Sequence, residues 1–319
     1  MTMTTSVTPI SAPTTRVELR PRYEGANIGP WIGFKHVNYL IEEALIDHFR
    51  SIGHDVRALY TDCGLCWEIV DIDTRIIHVF NLDEAVRLIV RPRPAHTEGE
   101  LAYEVAVVGD RDGAEIKVAR SRVSVALRRD SRWSTPYAAA APELASAIVP
   151  QIRRAAPDTG FGAPPGVDRP TDATRLLEGR DGFAWTFRIP YFYCHFTERL
   201  QMSGYLRVME DAVDRFLADR GVSIRMLLDD RQLIPVVPRS RITMLAEAYM
   251  EEDLQVVLVV EDVFKNLTFT LGMECFVQRG ADLVPVASGA ITHGYARLED
   301  RARWGLSDLD DRLCRALGR

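Results

Sequence analysis

An internal repeat constrains the fold of this chain more than any other feature of its 319 residues. Ala44 and Ala212 stand 168 residues apart, and the same interval joins Glu42-Glu43 to Glu210-Asp211, Gly53 to Gly221, Arg57 to Arg225 and Leu59 to Leu227. It carries on from Asp83-Glu84 to Glu251-Glu252, from Ala119 to Ala287 and from Val123-Ser124 to Ile291-Thr292, and upstream it links Tyr23 to Tyr191. An interval that never slips means that two segments share one order of elements. The length suits two domains, each able to bury a core.

Each copy reads as a short strand, a loop, a helix and then a run of strands. From His36 to Ile52, the residues Leu40, Ile41, Ala44, Leu45, Phe49 and Ile52 fall on one broad helical face, with Gly53 as the stop. Leu206, Met209, Val213, Phe216 and Leu217 repeat that face before Gly221. Strands are expected at Trp67 to Asp73, Ala85 to Arg91, Leu101 to Val108 and Ala114 to Arg128. Gly109-Asp110-Arg111-Asp112-Gly113 and Arg279-Gly280-Ala281-Asp282 supply hairpin turns that need positive φ. Residues 131–181 match nothing in the other half and are rich in Pro, Gly, Asp and Thr, as a linker is; within them Pro142 to Arg154 reads as one amphipathic helix. The expected layout is an α+β chain with a tail at 1–15, units at 16–130 and 182–300, a linker at 131–181 and a C-terminal tail or helix at 301–319. In each unit an antiparallel sheet wraps one long helix.

Composition excludes several functions. A net charge of -6 and a pI near 5.7 disfavour a nucleic-acid partner. No apolar run is long enough for a membrane span, and MTMTTSVTPISAPTT reads as a flexible tail instead of a signal peptide. A cytoplasmic location is expected, with Cys63, Cys66, Cys194, Cys275 and Cys314 as reduced thiols. Cys63 and Cys66 have metal spacing without a second ligand pair, so no metal is expected. No Gly-rich phosphate loop occurs, and no cofactor is expected.

Gly33-Phe34-Lys35-His36-Val37-Asn38 resembles the Gly-His-Val-Asn signature at the helix start of hotdog acyl-CoA thioesterases. Ile234-Pro235-Val236-Val237 to Ala246-Glu247-Ala248 and Ala287-Ser288-Gly289-Ala290-Ile291-Thr292 look like the second and last strands of that family. The resemblance implies a double hotdog. A narrower likeness, carried by Trp31-Ile32-Gly33-Phe34-Lys35-His36 and by Phe196 to Leu206, is to the tandem hotdog thioesterases of actinomycete polyketide and isonitrile-lipopeptide pathways. Those enzymes add glycine to an α,β-unsaturated acyl thioester and then hydrolyse it. The acid that the family carries in the loop before the helix is replaced here by Pro30. The substrate implied is an acyl thioester on an acyl carrier protein or CoA, with glycine as co-substrate; a homo-oligomer of double hotdogs is compatible with the resemblance.

Thioester hydrolysis needs a polarised carbonyl, an activated water and a dry slot. A helix start aims free N–H groups and a positive dipole end at the preceding loop, which places an oxyanion hole at His36 and Val37. The same dipole favours the neutral imidazole that a general base requires. His36 is thus the candidate base, set against a bland reading as a loop-bonding histidine. Its counterpart is Gly204, which predicts one dominant site. In a hotdog pair the sites lie between the helices, so Thr197 and Glu198 either complete the His36 pocket or form a second, weaker site; alternatively Thr197 caps its own helix. Glu43 is a candidate acid with a structural alternative. Lys35, Arg199 and Trp31 are the expected substrate contacts, the two cations for a glycine carboxylate. His54, His293, Arg239 and Arg241 are weaker candidates. A hotdog dehydratase using His36 and Glu198, or a non-catalytic acyl-thioester binding module, fits the same residues.

Overall fold

The computed structural model describes residues 13–134, 137–155, 176–177, 180–194 and 196–318. They form a mixed helix and sheet protein that divides into two compact units. The first holds residues 1–26 and 35–152; the second holds 27–34 and 153–319.

In the first unit the strands are β1 (Thr15–Leu19), β2 (Leu65–Ile76), β3 (Val86–Arg93), β4 (Leu101–Arg111) and β5 (Ala114–Arg129). They pair antiparallel in the order β1-β3-β4-β5-β2, and the short β6 (Ile148–Val149) adds parallel to β5. Helix α1 (Phe34–Ser51) lays Ile41, Ala44, Leu45 and Phe49 against this sheet with no exposed area left. Phe49 meets Trp67 of β2 and Tyr103 of β4 at ring distances of 5.8 and 5.9 Å. Each of these large side chains stabilises the unit by roughly 1.5–3 kcal/mol through burial alone.

The second unit repeats the scheme. Its strands β7 (Gly182–Arg188), β8 (Leu233–Met244), β9 (Asp253–Phe264), β10 (Thr268–Arg279) and β11 (Asp282–Leu298) run β7-β9-β10-β11-β8, and β12 (Trp304–Ser307) pairs with β11. Helix α3 (Met202–Asp219) buries Tyr205, Val208, Met209, Ala212 and Phe216. The bounds of α3 and β8 are those of α1 and β2 moved on by 168 residues.

The interval extends to irregularities. A β-bulge leaves Val118 out of the β4–β5 register and Val286 out of the β10–β11 register. In both cases the bulged carbonyl accepts two amides, Ile77 and His78 in the first unit and Leu245 and Ala246 in the second. Gly53 and Gly221 stop their helices at φ +86° and +74°. In the first unit Asp112 and Gly113 turn the β4–β5 hairpin at φ 55° and 79°, as a two-residue turn of this kind demands.

The structure corrects several expectations. Two eight-residue helices follow the glycine stops, α2 (Val56–Cys63) and α4 (Ile224–Arg231), capped by Asp55 accepting from Ala58 N–H at 3.0 Å and Ser223 accepting from Met226 N–H at 3.2 Å. Cys63 therefore closes a helix while Cys66 lies buried in β2. Pro142 to Arg154 is no continuous helix: a 3₁₀ turn spans Pro142–Ala147 and the chain then extends into β6, with Pro150 unable to continue a helical ladder. Residues 137–152 pack with the first unit, Ala138 N–H bonding Asp62 C=O at 2.8 Å, and most of the remaining expected linker lies outside the described residues. Residues 301–318 belong to the second unit through β12 and α5 (Asp311–Ala316), whose Leu313 and Ala316 are buried. Most of the expected N-terminal tail is likewise outside the description, but β1 begins at Thr15, whose hydroxyl bonds His48 Nδ1 at 2.8 Å. Among the described residues no helix is long and apolar enough to cross a membrane.

Candidate functional site

In the first unit α1 carries Lys35, His36, Val37 and Glu43. Val37 is buried, Lys35 and His36 are half-buried at the first turn, and Glu43 is exposed. Seven residues separate His36 from Glu43, nearly two turns, so the two share one helical face. The imidazole stands edge-on to Tyr39, with centroids 5.0 Å apart at 71°. Gly25, the last residue of a 3₁₀ turn (Tyr23–Gly25), also lies close to the His36 side chain.

A second set of polar groups runs from the helix into the sheet. The Thr74 hydroxyl of β2 donates to Asn38 Oδ1 at 2.6 Å and lies 2.8 Å from the Ser121 hydroxyl of β5. All three side chains are buried, so each bond replaces water that the group has lost. One turn on from Asn38, the Glu42 carboxyl is pushed up to about 7, first by burial and then by the nearby charges of Glu43 and Glu68. Burial thus favours the neutral carboxyl at Glu42, the half-buried acid of this helix.

Trp31, Thr197, Glu198 and Arg199 belong to the second unit. Trp31 is buried, and Gly29 at φ +106° makes room for its ring, since a Cβ there would fall 2.3 Å from Trp31 Cζ3. Thr197 does not cap α3: Gln201 holds the N-cap position, and the Thr197 hydroxyl accepts from Arg199 N–H at 3.4 Å. Glu198 accepts from Met250 N–H through its backbone at 2.8 Å, and its charge, after burial, helps to push the Cys194 thiol up to about 11. Arg199 is buried, with its backbone bridged to Tyr249. Of the weaker candidates, His54 pairs with Glu143 at 3.2 Å. His293 is buried in β11, stacked on Phe269, with neither ring nitrogen bonded among the described residues.

Of Gly25, Asn38, Thr74, Ser121, Glu42 and Glu68, only Asn38, which ends the helix-start signature, and Glu42, beside Glu43, stood out in the sequence. The repeat held the missing signal. At their +168 positions the last five face Leu206, Ile242, Gly289, Glu210 and Val236, so four of the five lose their polar side chain in the second copy.

No protein-family model matches the sequence, and no curated protein matches it. Solved structures do. A structure described as that of an oleoyl thioesterase from Lactobacillus plantarum aligns over 91% of this chain and 97% of its own, with a TM-score of 0.60 at 13% identity. The 12:0-ACP thioesterase from Umbellularia californica aligns over 88% and 94% at TM-score 0.58 and 11% identity. An acyl-ACP thioesterase from Bacteroides thetaiotaomicron aligns over 88% and 97% at TM-score 0.55 and 11% identity. The chain shares the fold of these structures along nearly its whole length.

Proposed function

We propose that this chain is a double hotdog that hydrolyses acyl thioesters, with the working histidine in its first unit. The observation that carries the reading is the half-buried His36 imidazole at the start of α1, close to both Gly25 and Tyr39, where the second unit has Gly204. The shared fold with three solved thioesterases supports the reaction class.

A water held by His36 attacks the thioester carbonyl and gives its proton to the imidazole, and the carbonyl oxygen takes up negative charge facing the positive end of α1. The C–S bond then breaks, and the imidazolium returns the proton to the leaving thiolate, so that a carboxylic acid and a thiol leave and the ring is neutral again. The carrier is CoA or an acyl carrier protein. A glycine-adding step before hydrolysis would use the same ring to take a proton from the attacking amine and return it to the α-carbon. Its carboxylate needs a cation, and Lys35 is the one beside His36 on α1.

Purified protein is given saturated and α,β-unsaturated acyl thioesters on CoA and on a carrier protein, with and without glycine, while thiol release and product mass are followed. Thiol release is expected, and in His36→Ala its kcat/KM falls by about 100- to 10,000-fold, the usual worth of a positioned general base. No release from any substrate overturns the thioesterase reading. Release that ignores glycine removes the addition step alone.

A further inference from the structure

We infer that Gly25 is a positioning residue that sets the His36 ring, by a small-for-large exchange that the second unit makes in reverse; the inference rests on the reading of His36 as the proton acceptor. A Cβ built on Gly25 would lie 3.0 Å from His36 Cγ, 3.1 Å from its Cβ and 3.2 Å from Cδ2. Carbon atoms in proteins rarely approach so closely, so the ring occupies the volume that a side chain at 25 would fill. The backbone at Gly25 does not itself call for glycine, because it is not among the residues with positive φ. Space for His36 is the remaining reason for its lack of a side chain.

The second unit shows the opposite choice at the same two positions. Tyr193 stands where Gly25 would be and Gly204 where His36 would be. A Cβ on Gly204 would fall 2.8 Å from Tyr193 O, 3.1 Å from Tyr193 Cβ and 2.6 Å from Leu200 Cδ1. Gly204 sits inside the first turn of α3, where glycine weakens a helix, so crowding by Leu200 and by the main chain and Cβ of Tyr193 is what its presence answers. In each unit one member of the loop and helix pair is therefore glycine and the other carries a ring, with Leu200 sharing the crowded space in the second unit. In the first unit the ring is an imidazole, close to Gly25 and to the Tyr39 ring.

Gly25→Ala adds one methyl group against the ring. Thiol release by this variant should show kcat lower by about 10- to 100-fold, as a displaced reacting group does, with KM and melting temperature nearly unchanged. The NMR titration of the His36 ring should shift, and in a His36→Ala background Gly25→Ala should cost nothing further. Unchanged kcat with an unchanged ring titration, or the same loss in the His36→Ala background, overturns the inference while leaving the hydrolytic reading in place. If His36→Ala itself keeps full activity the hydrolytic reading fails, and the ring titration alone then decides for or against positioning by Gly25. Should Gly25→Ala not fold, melting of Gly25→Tyr with and without His36→Gly gives the answer. The double variant copies the second unit and should recover the stability that Gly25→Tyr loses; no recovery overturns the exchange.

Discussion

Between α1 and its sheet the first unit buries an amide and two hydroxyls that bond one another, Asn38, Thr74 and Ser121, where the second unit has buried Leu206 and Ile242 and a half-buried Gly289. At Gly289 the room goes to Met209, whose terminal carbon would lie 2.8 Å from an added Cβ, with Arg241 O at 2.6 Å. At these three matched positions, two units with one strand order thus hold opposite chemistry. Backbone geometry did not dictate where polar groups went. A helix packed on a sheet accepts either hydrocarbon or a closed set of hydrogen bonds, provided that no partner is missing.

The largest effect should come from forcing one interior upon the other. Leu206→Asn deletes a buried apolar side chain and leaves an amide facing hydrocarbon, so urea unfolding should show a loss of about 4 kcal/mol. Asn38→Leu should cost about 1–2 kcal/mol, because Thr74 keeps its bond to Ser121. Equal losses for the two variants would break the comparison.

A smaller effect separates the units by pH. Burial pulls the His293 imidazole from 6.5 down to about 4, so the unfolded chain binds the proton more readily than the folded one. Its contribution is whole above pH 6.5 and fades as pH falls toward 4, by about 3 kcal/mol in all. His293→Phe, which keeps the stack on Phe269, should flatten that part of the stability curve; a curve as steep as that of the parent would sink the assignment. Glu42 in the first unit works in the other direction. Its carboxyl is raised from 4.5 to about 7, so stability is whole below pH 4.5 and is lost as pH rises through 7. Part of that side chain stays in water, which limits the effect, and Glu42→Gln should gain about 1 kcal/mol at pH 8 relative to pH 5. A gain that is equal at both pH values would detach Glu42 from the contrast.

Much of the fold was legible because apolar periodicity and turn glycines are local signals. Phe49 and Phe216, with Gly53 and Gly221 after them, mark the two helices and their ends without any structure. Helices α2 and α4 went unread because eight residues make scarcely two turns, too few for a period to declare itself, although their caps Asp55 and Ser223 were in view. The stretch from Pro142 misled because its apolar spacing suits a helix, while β5 offered Ile148 and Val149 a strand edge. The place of His36 at a helix start was legible from its neighbours in sequence. Gly25 and Thr74 were not, since their meaning lies in what approaches them across the fold: a ring in one case, an amide in the other. Subtracting one copy of the repeat from the other would have exposed both.

The bulges at Val118 and Val286 suggest why so much divergence was tolerable. Each corner is held by main-chain atoms, one carbonyl receiving two amides, and side-chain identity hardly enters it. A chain built of two such units takes its curvature from the backbone, and one unit can differ from the other in chemistry while keeping the same shape.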